Sequence, residues 1–227
     1  MQPSPDRRRA AHARSGAPST VDDLLALYGR CGHRRYGEDV TGLEHALQCA
    51  DHAVHDGATR ELVCAALFHD VGWFVSDDES SAAAGPDADH AALGARLLAP
   101  LFGPAVAGPV ALHVTAKRWR CTIDPDYYDE LSPASRVTFL TQGGPLTFDE
   151  RERFQAQPGF AAALALRAWD DRAKVPGRAV PGLAHYAAMV HDLAARRTSA
   201  RAGTPRARAG QGEQADPREG EARARAQ

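Results

Sequence analysis

Ala65-Ala66-Leu67-Phe68-His69-Asp70-Val71-Gly72 runs from apolar residues straight into two ionisable ones. With Leu62, its apolar side chains keep a helical period rather than an alternating one, so a helix delivers the His-Asp pair at its end. The same period recurs on both sides. Thr20-Val21-Asp22-Asp23 reads as a capped start before Leu24, Leu25 and Leu27. Val40, Leu43, Leu47, Ala50 and Val54 mark a second helix that Gly57 stops. Beyond the His-Asp pair, Asp89 or a neighbour caps a helix with Leu93, Leu97 and Leu98. Another runs from about Pro104 to Trp119, with Pro109 as a bend point. Further helices fit Pro133–Thr141, Phe148–Gln155, Phe160–Asp171 and Ala184–Arg197. No alternating segment of useful length and no repeat interrupts this pattern. The expected class is all-α, a single helical bundle.

Two long connections stand out. Residues 75–87 are rich in Ser, Asp, Ala and Gly, and residues 121–131 are acidic with two Tyr. Both read as loops, of a kind that either covers a site or is a tolerated surface insertion.

A chain of 227 residues that is 44% hydrophobic can build one domain with a real core. The expected organisation is a disordered tail at 1–18, a folded body at 19–197 and a second disordered tail at 198–227. Residues 1–19 hold four Arg against one Asp, and residues 197–227 hold seven Arg against four acids. The net charge of -2 therefore hides basic tails around an acidic middle. The tails are Ala/Gly/Arg/Pro-rich without aromatics, which reads as solvated chain rather than a nucleic-acid surface. No run approaches the roughly 18 apolar residues of a membrane span, and residues 1–16 lack the apolar core of a secretory signal. Cys31, Cys49, Cys64 and Cys121 show no C-x-x-C pairing, as expected in a reducing cytoplasm. Arg outnumbers Lys 25 to 2, which makes Lys117 and Lys174 conspicuous.

The histidines carry the chemistry. His45, His69, His90 and His113 each sit in or at the edge of a different apolar helix, and Asp70 and Asp170 lie at apolar helix ends. Burying so many ionisable groups in one core is costly unless a cation pairs with them. Helical bundles build metal sites from inward-facing ligands on several helices. His69 and Asp70 point about 100° apart on a helix. An imidazole binds one metal whereas a carboxylate can bridge two, so His69 reads as a terminal ligand and Asp70 as a bridge. Lys117 follows His113 by four residues and shares its face. His33, His52, His55, His185 and His191 read as surface or packing residues.

His45, His69-Asp70 and Asp170 resemble the His…His-Asp…Asp signature of the HD-domain superfamily. A wider set of runs extends the likeness: Leu43-Glu44-His45-Ala46-Leu47-Gln48-Cys49-Ala50, His113-Val114-Thr115-Ala116-Lys117-Arg118, Ser132-Pro133-Ala134-Ser135-Arg136, Gln142-Gly143-Gly144-Pro145 and Arg167-Ala168-Trp169-Asp170. Together they resemble the phosphonate-catabolism HD-domain proteins, mixed-valent di-iron oxygenases, over about residues 34–192. The resemblance implies two Fe ions (Fe2+/Fe3+) held by His45, His69, Asp70, His90, His113 and Asp170, with His69 and Asp70 at the catalytic centre. It implies substrate contacts from Lys117, Ser135, Gln142, Glu38 and Tyr36. The reaction implied is cleavage of a 1-hydroxyalkylphosphonate, such as 2-amino-1-hydroxyethylphosphonate, with O2 to phosphate and a carboxylic acid.

The chain departs from the family in two places. Trp73 stands where His-Asp-x-Gly-His would place a second histidine, and Arg35 stands where a relative has tyrosine, with Tyr36 one step later. Neither departure touches the six ligands; both alter the substrate pocket. The same ligands with Mn2+ or another divalent metal would suit an HD-type phosphohydrolase acting on a nucleotide or phosphate ester. A third reading is a helical binding protein whose metal serves folding alone; a lysine beside the ligands argues against it.

Overall fold

The computed structural model describes residues 17–35, 39–75 and 90–202. Eleven helices occupy most of them, and no strand forms among the described residues beyond a single bridge between Arg35 and Thr41. They are α1 (Val21–Cys31), α2 (Gly42–His55), α3 (Arg60–Phe68), α4 (Val71–Val75), α5 (His90–Phe102), α6 (Pro104–Ile123), α7 (Pro125–Glu130), α8 (Pro133–Thr141), α9 (Phe148–Gln155), α10 (Phe160–Arg172) and α11 (Leu183–Ala202). None is long and apolar enough to cross a membrane.

The starts follow local chemistry. Thr20, Thr41 and Thr147 each close a capping box, with Asp23, Glu44 and Glu150 as the reciprocal partners. Proline occupies the first turn of α6, α7 and α8, where a missing N–H costs nothing.

Helix α6 is the central post. It packs against α3, α5 and α10, while α2 packs against α3 and α10. The main core lies between them, with Tyr28, Leu67, Phe68, Leu98, Val106, Val110, Leu166 and Val190 buried. Tyr28 meets Phe68 and Phe74 edge-on at ring separations of 5.2 and 4.8 Å. A smaller cluster of Ala116, Phe154 and Ala163, backed by Trp119 and Phe160, seats α9. Glycine is required where α4 meets α5: a Cβ on Gly72 would run into the carbonyl of His90. That contact brings α4 against the start of α5.

Two expectations are corrected. Residues 121–131 are not a long loop: α6 continues to Ile123, and α7 buries Tyr127 against α10. The pattern missed α4 and α7 because one or two turns are too short to show a period. Helix α11 also continues to Ala202, past Arg197. Asp89, Tyr36, Glu38, the 76–89 connection and most of both tails lie outside the described residues.

Candidate metal centre and substrate pocket

Five helices deliver the six residues read from the sequence. His45 lies in the first turn of α2, His69 follows the last residue of α3, and Asp70 occupies the turn into α4. His90 opens α5, His113 sits mid-way along α6, and Asp170 is in the last turn of α10. All six are buried and converge.

The convergence has an internal division. His45 Nε2 is 3.3 Å from His69 Nε2, and His90 Nε2 is 3.1 Å from His113 Nε2. Asp70 stands between these pairs. Its Oδ2 is 3.3 Å from His69 Nε2 and 3.7 Å from His45 Nε2; its Oδ1 is 3.5 Å from His90 Nε2 and 3.6 Å from His113 Nε2. Asp170 joins the first pair, with Oδ1 3.4 Å from His45 Nε2.

This donor set fits metal ions. His45, His69 and His113 donate their Nδ1–H to the carbonyls of Ala173, Ala66 and Val110 at 2.9, 2.9 and 2.7 Å. The Nδ1 proton leaves Nε2 of a neutral ring as a bare lone pair. Lone pairs then face one another and two carboxylates across about 3–4 Å, which a cation relieves. Protons relieve the cluster only in part. Burial pulls His69 down, but Asp70 and Asp170 override it and raise it to about 9. Burial, with His90 and His69, pulls His113 down to about 3. Asp70 and Asp170 are held well below the carboxylate range against their own burial, Asp70 chiefly by His69 and Asp170 chiefly by Arg167. Cys49, one turn after His45, groups with His45 and His69, their ligand atoms all within 4.8 Å. The sequence reading gave Cys49 no role.

A cavity of about 90 Å³ opens on this cluster. Lys117, Ser135 and Gln142 line it, and so does Trp73, whose ring stacks on His90 at 4.9 Å. Three polar lining residues were missed: Thr138, Lys174 and Arg167. Lys117 Nζ donates to Thr138 Oγ1 at 2.7 Å, and Lys174 Nζ donates to Ser135 Oγ at 2.7 Å. The chain's two lysines thus reach one pocket from different sides. Their rarity among 27 basic residues was the available signal for Lys174. Thr138 is one turn beyond Ser135 on α8, a spacing that would have found it.

Behind Asp170, the buried Arg167 is fully engaged. Its Nη1 donates to Asp170 Oδ2 at 2.7 Å, Nη2 to Asp171 Oδ1, and Nε to Tyr127 Oη at 3.1 Å. Tyr127 Oη donates to Asp171 Oδ2 at 2.5 Å. Arg167 therefore occupies Oδ2 of Asp170 and leaves Oδ1 facing His45.

The chain is 45% identical over 168 residues to the hydroxymethylphosphonate dioxygenase of Gimesia maris, spanning 73% of this chain and 84% of that protein. It belongs to the phosphonate dioxygenase family. A second member, the glycine-betaine-forming [1-hydroxy-2-(trimethylamino)ethyl]phosphonate dioxygenase of Leisingera caerulea, is 33% identical over 180 residues, 76% of this chain and 89% of that protein. An uncharacterised protein of Acanthamoeba polyphaga mimivirus is 31% identical over 170 residues, 73% of this chain and 78% of its own length. No family model matches. As a member of that family the chain is an oxygenase, the first of the three readings rather than the phosphohydrolase or the purely structural metal site.

Proposed function

We propose that this HD-domain oxygenase, a single helical domain over about residues 19–197, cleaves the carbon–phosphorus bond of hydroxymethylphosphonate. The products are formate and phosphate, with both atoms of one O2 taken up and one proton released. One observation carries the reading: Asp70 turns one oxygen to His45 and His69 and the other to His90 and His113, beside two lysines. His45, His69 and Asp170 would hold one Fe ion, His90 and His113 the other, with Asp70 bridging. When bound, the irons supply O2 activation and the Lewis acidity that the side chains lack.

The chain's own groups do the rest. Lys117 and Lys174 neutralise the phosphonate as point charges, and Thr138, Ser135 and Gln142 orient its oxygens. Arg167 fixes which oxygen Asp170 offers. Trp73 narrows the pocket beside His90 and takes the room that a substituent on C1 would need. This favours hydroxymethylphosphonate, the substrate named for the 45% identical relative, over 2-amino-1-hydroxyethylphosphonate. Tyr36 and Glu38 retain their sequence-based roles as substrate contacts, and a cytoplasmic location remains the expectation from cysteine usage.

The test is phosphate release by iron-loaded protein from three compounds: hydroxymethylphosphonate, 2-amino-1-hydroxyethylphosphonate and its trimethylated analogue. The expected ranking in kcat/KM puts hydroxymethylphosphonate first. A higher kcat/KM for either amino compound would overturn the substrate assignment.

A further inference from the structure

Helix α2 does more than carry His45. Along one face, at positions 45, 48 and 52, its side chains bond the irregular segment that follows α10. His45 Nδ1 donates to the carbonyl of Ala173 at 2.9 Å. Gln48 Nε2 donates to the carbonyl of Val175 at 2.8 Å, and the N–H of Val175 donates to Gln48 Oε1 at 3.1 Å. Arg178 donates through Nη1 to His52 Nε2 at 2.7 Å and through Nη2 to Asp51 Oδ2 at 2.8 Å. Between the first two anchors lies Lys174.

Gln48 is 1% exposed and has both ends of its amide engaged by the backbone of one residue. A primary amide paired with a peptide unit in this way fixes that unit's position and orientation. Val175 is half exposed, so beyond the buried Ala173 its side chain adds little to hold the segment. Lys174 is the residue immediately before the clamp, and its Nζ reaches Ser135 Oγ at 2.7 Å across the cavity.

We propose that Gln48 is a positioning residue for substrate, which clamps the backbone of Val175 so that the Lys174 ammonium stands over the anion-binding end of the cavity. The proposal rests on Lys174 being a phosphonate contact. Gln48 touches neither metal nor substrate and acts only through Lys174. Its loss would leave the lysine on a segment tethered at Ala173 and Arg178, free to sample positions away from Ser135. Ordering it again on binding would cost affinity rather than turnover.

The test is a double-mutant cycle on iron-loaded full-length protein, with inorganic phosphate as the probe. Its Kd is measured by calorimetry for the unaltered chain, Gln48→Met, Lys174→Met and the double variant, with iron content and Tm recorded for each. Lys174→Met is expected to weaken phosphate about 10- to 100-fold, the range for losing a charge-assisted hydrogen bond. Gln48→Met is expected to weaken it about 3- to 10-fold alone and less than about 2-fold when Lys174 is already gone. Should Gln48→Met fail to fold, Gln48→Asn, one methylene short of the clamp, carries the same expectations. If the Gln48 variant lowers Tm but leaves the Kd unchanged, or weakens phosphate equally in both backgrounds, Gln48 is structural and the proposal is wrong while Lys174 stands. If Lys174→Met leaves the Kd unchanged, or the unaltered protein binds no phosphate, the reading of the pocket fails and the proposal with it.

Discussion

Replacing Arg167 by Met is the most informative single perturbation of the site's foundations. The guanidinium is 4% exposed and pairs with two carboxylates, Asp170 at 2.7 Å and Asp171, while its third donor holds Tyr127. Methionine fills much of the same volume, so the cost is electrostatic rather than a cavity. Removing one partner of a buried pair leaves the other charge uncompensated and costs about 3–5 kcal/mol. For a chain of this size about 1 kcal/mol shifts Tm by ~2–4 °C, so chelated Arg167→Met should melt ~6–20 °C lower. Bound iron supplies part of the missing positive charge to Asp170, so the loss should be smaller in the loaded protein. The assay is thermal unfolding by circular dichroism with and without chelator, repeated in an Asp170→Asn background. Neutralising Asp170 should return part of the lost Tm in chelated protein. A drop of under about 2 °C, or no recovery in the double variant, would refute the view that Arg167 balances a buried carboxylate.

Other outcomes follow from the same geometry. Tyr28 Oη meets no hydrogen-bond partner among the described residues although the ring is buried. Tyr28→Phe should therefore stabilise the fold by about 1–3 kcal/mol, raising Tm by ~2–12 °C; a lower Tm would show that the hydroxyl is satisfied. Gly72→Ala sets a Cβ against the His90 carbonyl and should cost about 1–3 kcal/mol in urea unfolding, with reduced iron content because His90 is displaced. His113→Ala removes half of the second imidazole pair; iron measured by mass spectrometry should fall from two per chain towards one. Two irons retained would overturn the division of the six ligands around Asp70.

Much of this was legible in the chain because its signals are local. Thr20 announces a helix start by its capping chemistry, and the apolar period through Leu62–Phe68 aims His69 and Asp70 at the core. Four histidines on four apolar helices call for a shared partner whatever the topology, so their convergence could be expected before any contact was known. Lys174 and Arg167 could not be placed in the same way. Lys174 follows a helix end, and the Gln48 side chain that bonds the carbonyl and N–H of the next residue lies 126 positions earlier, too far for any local pattern to show. Arg167 stands in a run that carries the family likeness, but its role shows only once Tyr127 and Asp171 close around it. The stretch before Leu131 misled because its acids and tyrosines look solvent-facing, whereas Tyr127 is buried by its bond to Asp171.

The central claim is that these six ligands and two lysines serve an oxygenase acting on a hydroxyphosphonate. The direct measurement places iron-loaded protein and hydroxymethylphosphonate in an oxygen-electrode cell and quantifies phosphate and formate as O2 falls. The account predicts one O2 consumed for each phosphate and each formate produced, and no phosphate in an anaerobic cell. Phosphate released without O2 uptake would contradict it.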